Sequence, residues 1–338
     1  MHIPDGYLGP QTYLPAWVAM GPVWSWASAR LRRTLGVRRF PQLALAAAFT
    51  FVLMMFNLPL PGGTSGHAVG SVLVAVLLGP WAAIVAVSLA LAVQALLFGD
   101  GGITALAANC LTMAVLMPVS GWWTYRLLAG SAVAPRRRAI AAAAGGYVGV
   151  NVAALATACL LGIQPLVARD AAGRPLYCPF GLGVAVPVMA AAHLLVIGFV
   201  EAAVTGLALA WLVRSDEDLV PQPLEGSGGG GPRRLALGVA ALVLASPLGL
   251  VIAARFGGGT AWGEWSADEL ARLVGALPAG YGRLASIWRA PLPDYAPAGA
   301  AASPAVRALW YGASAALGVA AVAALAFAVR RAVTRRRP

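Results

Sequence analysis

Long apolar segments dominate the sequence, and most of them are long enough to cross the roughly 30 Å hydrocarbon core of a bilayer as helices. They lie at about residues 13–29, 41–58, 67–79, 81–98, 103–128, 139–162, 186–213, 235–254 and 305–329. Hydrophobic residues make up 60% of the 338 residues and charged residues only 11%, which is more apolar surface than a water-soluble domain can bury. The sequence therefore predicts an all-α, polytopic membrane protein, with about seven helices followed by two further transmembrane helices.

The basic residues predict the orientation of these helices. The formal net charge is +12, and all of the positive side chains are arginines. The arginine clusters are Arg30–Arg33, Arg38–Arg39, Arg136–Arg138, Arg214, Arg233–Arg234, Arg330–Arg331 and Arg335–Arg337. An odd number of predicted helices separates the amino terminus from each cluster, so all clusters fall on one face, which the positive-inside rule assigns to the cytoplasm. We expect a bacterial-type plasma (inner) membrane protein with its amino terminus outside and its carboxyl terminus in the cytoplasm.

A polar segment divides the chain. The stretch RSDEDLVPQPLEGSGGGGPRR combines charges, prolines and a glycine run, which is typical of a flexible tether. It predicts a membrane domain at residues 1–214, a cytoplasmic linker at 215–232 and a two-helix segment at 233–338. The last segment brackets a long external loop with the aromatic residues Trp262, Trp265, Tyr281, Trp288 and Tyr295. We expect these aromatic side chains to pack a small cap at the membrane interface, with a partner contact as the alternative.

Two of the three histidines lie in polar stretches beside apolar segments, MHIPDGYL and GGTSGHAVG. The first stretch lacks the basic region of a signal peptide, and we expect Met1 to be retained because the side chain of His2 is large. A chain that begins Met-His can close two chelate rings on one metal ion, through the α-amine, the His2 amide nitrogen and His2 Nδ1. These nitrogens lie in one plane, and His67 is available as a fourth ligand. Such a planar set suits Ni(II) or Cu(II), and cobalt also uses nitrogen ligands. The alternative is that His67 only hydrogen-bonds a carbonyl group.

Other polar residues are candidates for supporting this site. We expect them to orient the histidines or to hold the amino-terminal segment; they are Asp5, Gln94, Asp100 and Asn109. His193 and Glu201 lie within an apolar segment, where ionisable residues are functional candidates by default. They predict either a transport path or a polar clamp between helices, and the clamp is the stronger interpretation. Whether Cys159 and Cys178 form a disulfide stays open.

Several motifs give a resemblance to a known family. The amino-terminal stretch, GGTSGH, LLGPWAA and QALLFGDGGITALAAN occur in that order, and HLLVIGFVEAAVTG fits the last helix of the family. Over roughly residues 1–213 the chain is similar to the substrate-binding component of nickel/cobalt energy-coupling factor (ECF) transporters, the CbiM/NikM family. The resemblance implies an ECF S-component-like bundle whose amino terminus inserts among the helices. It also implies that Met1, His2 and His67 are the ligands of Ni(II) or Co(II).

The two-helix segment resembles the small accessory subunit of these systems, CbiN or NikN, although the PDGLE sequence of some such subunits is missing. The resemblance implies an ABC-type importer in the lipid bilayer that takes up Co(II) or Ni(II) for cobalamin biosynthesis or nickel enzymes. Its partners are then a transmembrane coupling subunit and ATPase subunits, with no cofactor and no nucleic acid. A P-loop requires a lysine, and the chain has none, so we expect ATP hydrolysis in separate subunits. The alternatives are a membrane-embedded metal-dependent enzyme and a structural scaffold, and cobalt and nickel both stay open.

Overall fold

The computed structural model describes residues 1–34, 40–60, 64–130, 134–215, 231–255, 265, 267–297 and 303–334. These residues form an α-helical bundle with one short β-hairpin. The amino-terminal helices are α1 (Pro10–Thr34), α2 (Phe40–Met54), α3 (Ser71–Leu78), α4 (Pro80–Val93), α5 (Leu106–Asn109), α6 (Met117–Ala129), α7 (Pro135–Gly162) and α8 (Gln164–Val167). The later helices are α9 (Leu182–Ala192), α10 (Gly198–Ser215), α11 (Gly231–Ala245), α12 (Pro247–Arg255), α13 (Ala267–Val274), α14 (Ala279–Ala285) and α15 (Pro304–Thr334).

Within the described residues, three π-helical segments lengthen the helices: one extends α4, and two join successive helices into longer rods. They are Gln94–Phe98 after α4, Cys110–Leu116 between α5 and α6, and His193–Ile197 between α9 and α10. In the described part of the chain, five rods are long and apolar enough to cross a membrane: Pro80–Phe98, Leu106–Ala129, Pro135–Val167, Leu182–Arg214 and Pro304–Arg331. The predicted all-α, polytopic fold is confirmed.

The predicted end of the helical segment at 41–58 and the predicted start of the segment at 67–79 are wrong. Helix α2 ends at Met54, and α3 begins only at Ser71. Between them, strand β1 (Leu58–Leu60) pairs antiparallel with strand β2 (Thr64–Gly66). Proline has no backbone N–H and fixes its own φ, so the prolines of NLPLP oppose a helix although the stretch is apolar.

The predicted segment at 235–254 is likewise interrupted. Helix α11 ends at Ala245 and α12 begins at Pro247, where the missing N–H breaks the helical hydrogen-bond pattern. The predicted linker falls largely on residues 216–230, and Trp262 of the external loop lies within 261–264; both stretches are outside the described residues. The division of the chain at 214 and 232 therefore stays a prediction.

Helix α3 is short because the loop before it enters the bundle. Its eight residues span about 12 Å at 1.5 Å per residue, less than half of the hydrocarbon core. Helix α4 follows at once, and its Trp81 ring lies 4.7 Å from the ring of Trp26, in the last third of α1. The residues before α3 are largely buried, since Thr64, His67, Ala68 and Val69 are each less than 5% exposed.

Small residues let the central helices approach closely. A Cβ atom at Gly145 of α7 would lie 2.5 Å from the carbonyl oxygen of Gly121 in α6, and one at Gly149 would lie 2.7 Å from that of Met117. On the other side of α7, a Cβ at Gly146 would lie 2.9 Å from Thr205 Oγ1 in α10. Glycine at helix contacts is typical of membrane bundles, where packing replaces the hydrophobic driving force.

Arginines collect at one end of the bundle. The last turns of α1, α10 and α15 contain arginine, and the guanidinium of Arg330 lies 6.0 Å from the ring of Phe40 at the start of α2. The opposite end contains the start of α1, the loop after α4 and the residues just before α15. The bundle therefore has a basic end and an end where the polar residues of the candidate site lie.

Candidate metal centre

The amino-terminal segment is buried in the bundle. Met1 is 6% exposed, Ile3 is fully buried, and Tyr7 and Leu8 are each 1% exposed. Glycines permit the close packing: Gly6 has a φ of +91°, and a Cβ there would lie 2.8 Å from the ring of Tyr281. The first residues therefore belong to the core.

The backbone of Ile3 is held on both sides. Its N–H donates to Asn109 Oδ1 (2.8 Å), and its carbonyl oxygen accepts from Asn109 Nδ2 (3.0 Å) and from the N–H of Gly102 (2.9 Å). The carboxylate of Asp5 accepts from the backbone N–H groups of Ile103 (2.9 Å) and Thr104 (2.8 Å) and from the Thr104 hydroxyl. These bonds fix the register of the amino-terminal segment against the loop after α4.

Sequence reasoning missed Gln164, a further residue that holds the amino-terminal segment. Its Oε1 accepts from the N–H of Gly9 (2.9 Å), and its Nε2 donates to the hydroxyl of Thr12 (2.8 Å). Gln164 is fully buried at the start of α8. The sequence signal that could have identified it is an isolated amide side chain directly after the apolar segment at 139–162. If such a side chain is buried, it needs a hydrogen-bond partner.

The structure brings the two predicted ligand histidines together. The rings of His2 and His67 are stacked, with centroids 4.7 Å apart and planes inclined by 23°. Their Nε2 atoms are both buried, and neither has a hydrogen-bond partner within the described residues. Because buried polar atoms are normally satisfied, these two nitrogens are candidates for contact with a ligand.

Burial sets the charge of His67. This side chain is 2% exposed, and its Nδ1 lies 3.2 Å from the carbonyl oxygen of Ala68. Desolvation lowers the pKa of His67 well below its ordinary value, and the nearby positive amino terminus and His2 lower this pKa further. The ring is therefore neutral at neutral pH, which is the form that binds a metal ion.

Asp100 holds the ring of His2. Its Oδ1 lies 2.7 Å from His2 Nδ1. Burial acts to raise the pKa of Asp100, but His2 and the hydrogen bond from Tyr295 outweigh it, so the pKa falls below its usual range. The chelate predicted from the sequence uses Nδ1 of His2, and this ring orientation turns Nδ1 towards Asp100. Binding of a metal ion through Nδ1 therefore requires this nitrogen to exchange its contact with Asp100 for the metal ion.

Two further side chains hold the second oxygen of the Asp100 carboxylate. Its Oδ2 accepts from Gln94 Nε2 (3.3 Å) and from the hydroxyl of Tyr295 (2.5 Å). Burial and the neighbouring Asp100 raise the pKa of Tyr295 well above its ordinary value, so this hydroxyl remains a donor. The sequence suggested no role for Tyr295 at the site, because it lies 195 residues from Asp100.

Glu201 and His193 lie next to residues 66–70, the loop that carries His67. The carboxylate of fully buried Glu201 accepts from the N–H groups of Val69 (2.8 Å) and Gly70 (3.1 Å) and from the hydroxyl of Thr205 (3.2 Å). His193 Nδ1 lies 2.9 Å from the carbonyl oxygen of Met189, and its Nε2 is buried without a hydrogen-bond partner in the described part of the chain. Glu201 thus ties α10 to the loop that carries His67.

Side chains alone do not make a conventional metal site here. Among the described residues, no group of three or more histidine, cysteine, aspartate or glutamate side chains could hold a metal ion. The three cysteines are free thiols, with Cys159 exposed and Cys178 buried. A metal ion between His2 and His67 would therefore need ligands other than a third side chain of these types.

The chain also matches a known protein family. Residues 2–219 match the CbiM family, described as the cobalt uptake substrate-specific transmembrane region. The chain belongs to the CbiM family. The match includes the amino-terminal segment, the His67 loop and α1 to α10, whereas α11 to α15 follow it.

Relatives extend the CbiM-family similarity to the whole chain. A fused nickel transport protein NikMN of Rhodobacter capsulatus is 48% identical over 96% of this chain and 95% of its own. A probable fused nickel transport protein LarMN of Lactiplantibacillus plantarum is 45% identical over 80% of this chain and 79% of its own. The crystal structure of a truncated transition metal transporter is 49% identical, covers 64% of this chain and 99% of its own, and has a TM-score of 0.61.

Proposed function

We propose that this chain is the substrate-binding component of an ECF-type importer that takes up Ni(II) or Co(II). The observation that carries the proposal is the buried His2–His67 pair beside the amino terminus, with two Nε2 atoms that lack partners among the described residues. Its membership of the CbiM family and its similarity to a fused nickel transport protein support the cargo class. Because that relative and the LarMN protein are named as nickel transport proteins, Ni(II) is the first cargo to test.

We propose four nitrogen ligands for the metal ion. They are the α-amine of Met1, the amide nitrogen and Nδ1 of His2, and Nε2 of His67. The burial of Met1 and the bonds that fix Ile3 support this set, because they keep the amino terminus next to the histidines. Four nitrogens in one plane favour Ni(II) over Zn(II), which prefers a tetrahedron.

Asp100 orients His2 and supplies negative charge beside the cation. Histidine ligands commonly donate their second ring N–H to a carboxylate, which fixes the ring and strengthens the metal bond. The 2.7 Å pair between His2 and Asp100 supports this role in the metal-free form. When Nδ1 binds the metal ion, this contact is exchanged and the Asp100 carboxylate stays beside the cation as a negative charge. Asp5 and Asn109 hold the amino-terminal segment in place through the bonds described above.

The proposal predicts dependence on coupling subunits. The chain contains no lysine, which the phosphate-binding P-loop requires, so the purified protein is expected to bind Ni(II) without ATP-driven uptake. Uptake of radioactive nickel is measured in cells that express the chain alone or with a transmembrane coupling subunit and its ATPases. ATPase activity in the purified chain, or ATP-dependent uptake by the chain alone in proteoliposomes, would contradict the proposal.

The metal centre is proposed to face the outside of the inner membrane. The arginine-containing last turns of α1, α10 and α15 lie at the bundle end opposite to Asp100, as the positive-inside rule requires for a cytoplasmic face. A reporter inserted after Arg138 is expected to be cytoplasmic, and one inserted near Trp288 is expected to be external. An external reporter after Arg138, with transport activity retained, would reverse the orientation and the direction of capture.

A further inference from the structure

The segment before α15 reaches the metal centre. Trp288 Nε1 donates to the carbonyl oxygen of Leu96 (3.0 Å), and the N–H of Leu292 donates to that of Leu97 (3.0 Å). Both acceptors lie in the π-helical segment Gln94–Phe98, three and four residues before Asp100. The residues from 288 to 295, which we call the C-terminal strap, are thereby joined to the segment that directly precedes the loop holding the amino terminus.

Tyr295 lies at the end of the strap and is 7% exposed. Its hydroxyl donates to Asp100 Oδ2 (2.5 Å) and accepts from Gln94 Nε2 (3.2 Å). The ring is stacked on Phe98, with centroids 4.8 Å apart, and its carbonyl oxygen accepts from the hydroxyl of Ser314 (2.8 Å) in α15. Tyr295 is therefore fixed at its backbone, its ring and its hydroxyl.

The backbone at this point has an unusual conformation. Asp294 and Tyr295 have φ values of 52° and 64°, and within the described residues they are the only non-glycine residues with positive φ. Residues other than glycine rarely adopt positive φ values, and this backbone conformation persists only where the surrounding structure holds it. Here the conformation turns the Tyr295 side chain towards Asp100 while the chain continues into α15.

We propose that Tyr295 is a positioning residue of the metal centre: its hydroxyl fixes the Asp100 carboxylate, which in turn orients His2. The chain of contacts runs from Tyr295 to Asp100 Oδ2 and from Asp100 Oδ1 to His2 Nδ1. The inference rests on the proposed function, since it concerns the same metal ligands. It also gives the C-terminal strap a role in metal affinity as well as in packing.

Tyr295→Phe is expected to weaken Ni(II) binding by the full-length protein about 10-fold, the lower end of the effect of removing an outer partner of a metal ligand. Phenylalanine keeps the ring stacked on Phe98 but removes the hydroxyl, so Asp100 Oδ2 retains only the longer bond from Gln94. The ligand nitrogens themselves are unchanged. The absorption bands of bound Ni(II) are therefore expected to keep their positions while the dissociation constant rises.

The matched control is Tyr311→Phe. This buried tyrosine packs edge-on against Tyr295, with centroids 5.2 Å apart, and its hydroxyl donates to the carbonyl oxygen of Met55 and not to Asp100. Its effect on Ni(II) affinity is expected to stay within about 2-fold, since it removes a bond outside the contact chain. Equal helical content by circular dichroism shows that both variants are folded.

A double-mutant cycle separates positioning from packing. If Tyr295 acts through Asp100, then Tyr295→Phe changes Ni(II) affinity by less than about 2-fold in a protein that already carries Asp100→Ala. A loss of about 10-fold in both backgrounds would show that Tyr295 acts by packing alone and would overturn the inference. So would unchanged affinity in Tyr295→Phe when the unmodified protein binds Ni(II). Failure of the unmodified protein to bind Ni(II) would instead contradict the proposed function.

Discussion

One residue added before Met1 is expected to weaken Ni(II) binding by more than about 100-fold, beyond the usual effect of an outer partner of a ligand. The addition converts the α-amine of Met1 into an amide, moves the imidazole to the third position and adds a residue beside Met1, which is 6% exposed, so the planar set that includes His67 can no longer form in the bundle. The structure strengthens this expectation. Asn109 and Gly102 fix the backbone of Ile3, so the segment cannot slide by one residue to bring a new amine to the same place.

The comparison requires proteins with defined amino termini. Bound nickel and cobalt are measured in the native-start protein and in the extended protein, and mass spectrometry verifies the first residue of each. A protein with the same residue added after Pro338 is the control, because it has the same composition and leaves the amino terminus unchanged. Equal metal content in the three proteins would refute the amino-terminal chelate, since a site built from side chains alone tolerates the extension.

The helices were predictable because each depends on a local property of the sequence. An apolar run of the length of residues 81–98 has few stable alternatives in lipid, since the backbone must satisfy its own hydrogen bonds there. The β-hairpin at Leu58–Leu60 and Thr64–Gly66 was not predicted, because its apolar residues extend the hydrophobic run of α2. Only the prolines of NLPLP indicated that the helix ends there, and the length of the apolar run favoured a continued helix instead.

The site was predictable as far as helix topology determines it. An odd or even number of crossings places His2, His67 and Asp100 on one face without any knowledge of packing. The choice of ring nitrogen for the Asp100 contact was not predictable, because it depends on a side-chain torsion within the folded bundle. Tyr295 was seen only as one of several loop aromatics, since nothing local indicates that a residue 195 positions away donates to Asp100.

His67→Gln is expected to weaken Ni(II) binding by about 100-fold or more, because it removes a residue that we propose as a direct ligand and not merely as a partner of one. His67→Ala removes the same ring nitrogen. The structure shows His67 to be 2% exposed and stacked on His2, so alanine also leaves a cavity. Glutamine fills more of this volume than alanine does and replaces the aromatic nitrogen donor with an amide. The measurement is a metal titration of both variants, with helical content and thermal unfolding as checks of the fold.

His193→Gln is the matched control for this substitution. His193 is also fully buried, and its Nε2 likewise has no hydrogen-bond partner in the described part of the chain. It lies close to the same loop, since a Cβ at Gly66 would be 3.4 Å from its Nε2. If His67 is the fourth ligand, His193→Gln leaves the affinity within about 3-fold, while His67→Gln abolishes tight binding. The reverse pattern would make His193 the fourth ligand. The metal ion would then lie next to His193 and Met189 and not at the His2–His67 stack.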